Sequence, residues 1–115
     1  MSAKKVWLNG ELVDADRASV SVFDHGVLYG DGVFEGIRAY RGRILKLQTH
    51  LNRLFEGAAA IKLTIPYGTA DLADAVRQTV ETNGATDGYI RLVVTRGSGT
   101  LGLNPYLCTE PNVYV

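Results

Sequence analysis

The chain has 115 residues and a mass of 12.5 kDa, the size of one ordinary domain. Its 46% apolar content and zero net charge argue against a disordered chain, and the balance of 12 basic against 12 acidic residues argues against a nucleic-acid module, which needs a basic excess to neutralise phosphates. No apolar stretch is long enough to span a membrane, no apolar segment follows the basic start as in a signal peptide, and the single Cys108 rules out an internal disulfide framework or a Cys-based zinc site, which points to a reducing, cytoplasmic setting.

The first element is a hairpin. Lys5 to Leu8 and Glu11 to Val13 flank Asn9-Gly10, and both turn positions tolerate positive φ. Val20 to Phe23 reads as a further short extended piece. The stretch Asp24 to Gly32 holds too many glycines for a stable helix or strand. Val33 to Tyr40 then predicts a strand and Arg43 to Leu47 its partner, with Arg41-Gly42 as the turn. From Leu47 the period changes. Leu47, Leu51, Leu54, Phe55, Ala58 and Ile61 recur at spacings of three and four, which predicts an amphipathic helix that Pro66 cannot continue. A second helix is expected from Thr69, as N-cap, to Asn83, with Leu72, Ala75, Val76, Thr79 and Val80 inward and Gly84 at the left-handed stop. Tyr89 to Thr95 and Val113 to Val115 predict two more strands around a Gly- and Pro-rich loop. Strands, two helices and strands, without regular alternation, predict an α+β fold: an antiparallel sheet with two helices packed on it. Residues 1–115 form a single small domain, and a strand reached in the last three residues predicts a chain that continues.

Several segments carry candidate chemistry. Gly97-Ser98-Gly99-Thr100-Leu101-Gly102 satisfies G-x-G-x-x-G after a strand, but Pro105 and Pro111 replace the helix that a dinucleotide site requires, so a flexible loop is the better reading. His25 and His50 lack metal-ligand spacing, and structural hydrogen bonding outweighs catalysis for both; Asp24 is placed to orient the His25 ring. Arg53 faces away from the centre of its helix stripe, either as a solvated side chain or as an anion clamp. Tyr89 and Arg91 share one face of their strand. Phe34, Gly36, Arg38 and Tyr40 share one face of theirs. Two strands each offering an aromatic ring and a guanidinium suggest a small-anion site more than one would, the alternative being the ordinary solvent-facing side of a half-buried sheet, and Gly36 admits close backbone approach. None of Lys4, Lys5, Lys46 and Lys62 has the context of a buried nucleophile.

Four blocks in order resemble one family. Asp24-His25-Gly26 leading into Leu28 to Arg38, His50-Leu51-Asn52-Arg53-Leu54, Tyr89-Ile90-Arg91 and Gly102-Leu103-Asn104-Pro105 are similar to segments of the class IV, fold-type IV aminotransferases that use pyridoxal 5'-phosphate. Val33 to Arg38 and Tyr89 to Arg91 most resemble the branched-chain amino acid aminotransferases. The loop from Ser98 to Leu103 lacks the Arg-x-His of the D-amino acid aminotransferases. The resemblance implies the small N-terminal domain of such an enzyme. It implies Arg53 on the cofactor phosphate, Tyr89 and Arg91 on substrate carboxylates, Phe34 along an aliphatic side chain, and Gly36 and Arg38 on the substrate side. Tyr29 and Leu103 would reach the active site of a neighbouring subunit in a homodimer. Substrates would be leucine, isoleucine or valine and a 2-oxo acid such as 2-oxoglutarate. The Schiff-base lysine is expected beyond Val115, so no catalytic residue lies in these 115 residues and the chain alone is expected to be inactive; no metal is expected. The alternatives are a D-amino acid aminotransferase or aminodeoxychorismate lyase relative and, in another class, a stand-alone non-catalytic binding domain. Against the last stands the exposed face that Phe34, Arg38, Tyr89 and Arg91 would leave on it, which predicts self-association or poor solubility.

Overall fold

The computed structural model describes residues 4–102, 104–108 and 110–115. Among them lies one antiparallel sheet with the strand order β2-β1-β6-β5-β3-β4. Its strands are β1 (Lys5–Leu8), β2 (Glu11–Asp14), β3 (Gly32–Tyr40), β4 (Arg43–Ile44), β5 (Gly88–Thr95) and β6 (Asn112–Tyr114). A short helix α1 (His25–Tyr29) precedes β3, and two long helices, α2 (Leu47–Ala60) and α3 (Thr69–Thr82), stand between β4 and β5. The α+β architecture expected from the sequence is the one observed.

The β1–β2 hairpin forms as its turn residues dictate. Asn9 and Gly10 sit at φ 48° and 99°, the double positive φ that matches the twist of the flanking strands. The longest pairing in the sheet is β3–β5, in register from Gly32 opposite Thr95 to Ala39 opposite Gly88. α2 lies over β3, and α3 lies over β1 and β5. The helices therefore cover one sheet face. Ile37, Leu51, Leu54, Leu72, Val76, Leu92, Val94 and Val113 meet there with almost no solvent contact. Each such side chain contributes about 1.5–3 kcal/mol relative to exposure, which makes this layer the main source of stability. Trp7 closes one end with its ring edge-on to Tyr67, centroids 5.1 Å apart.

Four local expectations are corrected. Val20 to Phe23 joins no strand; Val22 and Phe23 lie in a turn, because no described residue beside them supplies a ladder. The glycine-rich stretch does hold a helix, α1. Asp24 caps it by accepting from the Gly26 N–H at 2.7 Å, and Gly30 ends it at φ 69°. β4 stops at Ile44 rather than Leu47, since Lys46 turns left-handed (φ 51°) to start α2. The N-cap of α3 is Gly68, not Thr69; the Asp71 carboxylate reaches back to accept from the Gly68 N–H at 3.1 Å.

Candidate active site

Strand alternation divides β3 and β5 between two environments. Ile37, Ala39, Ile90, Leu92 and Val94 point under the helices. Phe34, Arg38, Tyr89 and Arg91 point the other way and are exposed, Phe34 and Tyr89 each at 55%. Register then sets them side by side: Gly36 opposes Arg91 and Arg38 opposes Tyr89. The Arg91 guanidinium lies 4.0 Å over the Phe34 ring and donates to the Tyr89 hydroxyl at 3.4 Å. The Arg38 guanidinium stands 5.9 Å from the centroid of the Tyr89 ring. Stacking on an aromatic face orients a guanidinium while leaving its in-plane N–H donors free. Five residues expected at a substrate site, Phe34, Gly36, Arg38, Tyr89 and Arg91, therefore form one patch that carries an apolar ring, a phenol and two cations.

Arg53 is not on that patch. It rises from α2, above the covered face, and its side chain is 69% exposed. It is not a freely solvated arginine either. Its Nε donates to Glu35 Oε2 at 2.9 Å and its Nη2 to Oε1 at 2.7 Å. Glu35 is almost fully buried at the helix-facing register of β3, between Phe34 and Gly36 of the open face. His50, one turn before Arg53 on α2, donates from Nδ1 to the same Oε1 at 2.6 Å. The arginine hydrogen bond, helped by His50 and opposed by burial, holds the Glu35 carboxyl below the usual glutamate range and raises Arg53 above its own.

The patch and Arg53, bound to the helix-facing Glu35, lie on opposite faces of β3. β4 pairs only with Ala39 and Tyr40, so the rest of the outer edge of β3 has no described strand beside it. The Arg38 carbonyl accepts from the Leu45 N–H at 2.9 Å across this edge. By strand alternation the N–H and C=O groups of Gly36 and Phe34 also point outward there.

Two buried ion and hydrogen-bond networks hold the surrounding loops. Asp24 accepts from Gly26 N–H, from Thr95 Oγ1 at 2.6 Å and from Asn112 Nδ2 at 2.7 Å. It does not orient the His25 ring, as its sequence neighbourhood implied, because its oxygens are used elsewhere. His25 donates from Nε2 to the Thr100 carbonyl at 2.6 Å, and its backbone N–H donates to the Gly97 carbonyl at 2.9 Å, which ties α1 to the Gly97–Gly102 loop. Arg96, buried, spans Asp31 and the end of α2. It pairs with both Asp31 oxygens and donates to the carbonyls of Ile61 (2.7 Å) and Lys62 (2.9 Å). Tyr29 is exposed on α1 with its ring edge-on to His25. Leu103 lies outside the described residues. Burial and the nearby Asp31 charge push the Cys108 thiol up, which disfavours its thiolate. Among the described residues no group of three or more His, Cys, Asp or Glu side chains could hold a metal, and no helix is long and apolar enough to cross a membrane.

Sequence reasoning passes over Glu35, Asp31 and Arg96. The signal for Glu35 is present: it alternates with Val33, Ile37 and Ala39, so an acid stands at a core-facing position and needs partners.

Residues 32–115 match the model of the amino-transferase class IV family, and the chain belongs to it. A Methanocaldococcus jannaschii protein named as a branched-chain-amino-acid aminotransferase is 51% identical over 110 residues, which span 96% of this chain and 38% of that protein. A D-alanine aminotransferase of Staphylococcus haemolyticus is 39% identical over 93 residues, 81% of this chain and 33% of its own length. Among solved structures, a T.th. branched-chain amino acid aminotransferase complexed with N-(5'-phosphopyridoxyl)-L-glutamate superposes with a TM-score of 0.92 at 34% identity, over 99% of this chain and 40% of that one. The chain thus spans no more than about two-fifths of the length of these relatives.

Proposed function

We propose that these 115 residues form the small domain of a pyridoxal-phosphate aminotransferase that exchanges the amino group of leucine, isoleucine or valine with 2-oxoglutarate. The observation that carries this reading is the Arg91 guanidinium stacked 4.0 Å over Phe34 beside the Tyr89 hydroxyl. One spot then offers an apolar wall to a branched side chain and a cation to the distal carboxylate of glutamate, as a double-substrate enzyme requires. Tyr89 takes the α-carboxylate, and Gly36 and Arg38 shape the substrate side.

The cofactor fits the residues present. Glu35 occupies one side of the Arg53 guanidinium, and the remaining edge offers two parallel donors to a phosphate dianion. Bound there, pyridoxal phosphate would supply an electron-withdrawing ring that makes the α-proton of the amino acid acidic. As the family resemblance implies, the Schiff-base lysine is assigned to a larger second domain, and the 115 residues alone are read as inactive. The enzyme is read as a cytoplasmic homodimer in which Tyr29, exposed on α1, reaches the neighbouring site.

A second reading, a D-amino acid aminotransferase, is favoured by the Staphylococcus haemolyticus relative and opposed by the Ser98–Gly102 loop, which holds neither Arg nor His. The test uses the full chain with cofactor. L-Leucine and 2-oxoglutarate should turn over, and Arg91→Leu should lower kcat/KM for 2-oxoglutarate about a hundredfold while sparing the branched-chain 2-oxo acid. Turnover of D-alanine alone, or equal loss for both oxo acids, would sink the reading.

A further inference from the structure

We infer that Glu35 is a positioning residue: it holds the Arg53 guanidinium so that one edge faces an incoming phosphate before the ligand arrives. This rests on the proposed phosphate role of Arg53 and adds a residue to it. The reason starts from flexibility. An arginine whose side chain is 69% exposed samples many rotamers, and fixing it on binding costs affinity. Here the side chain is already fixed. Two of its five N–H donors, on Nε and Nη2, point at the two oxygens of a carboxylate anchored in β3, which pairs with β5 along eight residues. The carboxylate cannot turn away, because His50 Nδ1 grips Oε1 from the same helix at 2.6 Å. Both Nη1 donors and the second Nη2 donor remain. One Nη1 donor and the free Nη2 donor lie parallel on the terminal edge, which Glu35 leaves open, in the planar fork that matches two phosphate oxygens.

Charge alone makes the opposite statement. A carboxylate behind Arg53 repels a phosphate in front of it, so its removal should strengthen phosphate binding. Positioning and charge therefore predict opposite signs for the neutral variant.

The experiment measures, by equilibrium dialysis on the full chain, the affinities of pyridoxal 5'-phosphate and of pyridoxal. Their ratio isolates the phosphate contact, and the pyridoxal affinity reports an intact pocket. Arg53→Ala should collapse the ratio. If it does not, the phosphate role of Arg53 falls, and the role of Glu35 with it. Given that collapse, Glu35→Gln and Glu35→Asp should each lower the ratio about tenfold, the loss of one charge-assisted hydrogen bond's alignment. A ratio that rises or holds in Glu35→Gln overturns the positioning role and leaves Arg53's intact. Should the variants fail to fold, the wild-type chain still decides. A slowly exchanging Arg53 Nε–H resonance without cofactor supports a preformed clamp; a resonance seen only after pyridoxal 5'-phosphate is added overturns it.

Discussion

A Cβ placed on Gly36 would stand 2.5 Å from the hydroxyl oxygen of Tyr89, across the β3–β5 pair. The missing side chain is therefore what lets the Tyr89 ring lie over β3 and bring its hydroxyl to Arg91. The contact is with the far end of a side chain, not with backbone, so Gly36→Ala should move Tyr89 rather than break the sheet. The unfolding midpoint should stay close to wild type, while in the full chain of the proposed enzyme KM for 2-oxoglutarate rises about tenfold as the phenol loses its place. Aromatic NMR shifts of Tyr89 would track the displacement. An unchanged Tyr89 environment would show that the glycine serves something else.

Arg96 joins the loop before β3 to the end of α2 and is buried in doing so. Arg96→Ala leaves the Asp31 carboxylate and the carbonyls of Ile61 and Lys62 without these partners. The expected cost is about 2–4 kcal/mol in urea unfolding, with the slope unchanged. A cost within about 0.5 kcal/mol would mean that water replaces the guanidinium freely.

Asp24 is fully buried and accepts from Gly26, Thr95 and Asn112, three separated parts of the chain. Asp24→Ala should cost about 2–4 kcal/mol. Its effect should also be local. Amide hydrogen exchange should quicken most in α1 and around Ser98, which bridges to Asp24, while β3 and β5 stay protected relative to the new global stability.

Glu35 sets a pH dependence. Its carboxyl in the folded chain titrates below the ordinary glutamate range, chiefly through the Arg53 hydrogen bond. The unfolded state therefore binds the proton first as pH falls. The stabilisation is complete above the ordinary glutamate range and is lost as pH drops through the folded value. The stability gap between wild type and Glu35→Gln, measured by urea unfolding, should be constant near neutrality and shrink in acid. A gap that widens in acid would give the shift the wrong sign.

The sequence by itself determined the elements and their faces. The α2 and α3 stripes, the Asn9-Gly10 hairpin, the β3 and β5 strands, and the sharing of one β3 face by Phe34 and Arg38 and of one β5 face by Tyr89 and Arg91 all follow from local periodicity and turn chemistry, which neighbours in the chain enforce. The α1 helix escapes such a reading because it rests on one Asp24 cap and one left-handed Gly30, not on a repeating apolar stripe. Only the tertiary structure decided which strands pair and in what register, and so that Gly36 stands opposite Arg91 and Arg38 opposite Tyr89. It alone decided the partner of Arg53, 18 positions away in Glu35, and that of Arg96, 65 positions away in Asp31. These contacts depend on where separate elements come to rest, and the physical demand behind them, that a buried charge must find an opposite one, names no address along the chain.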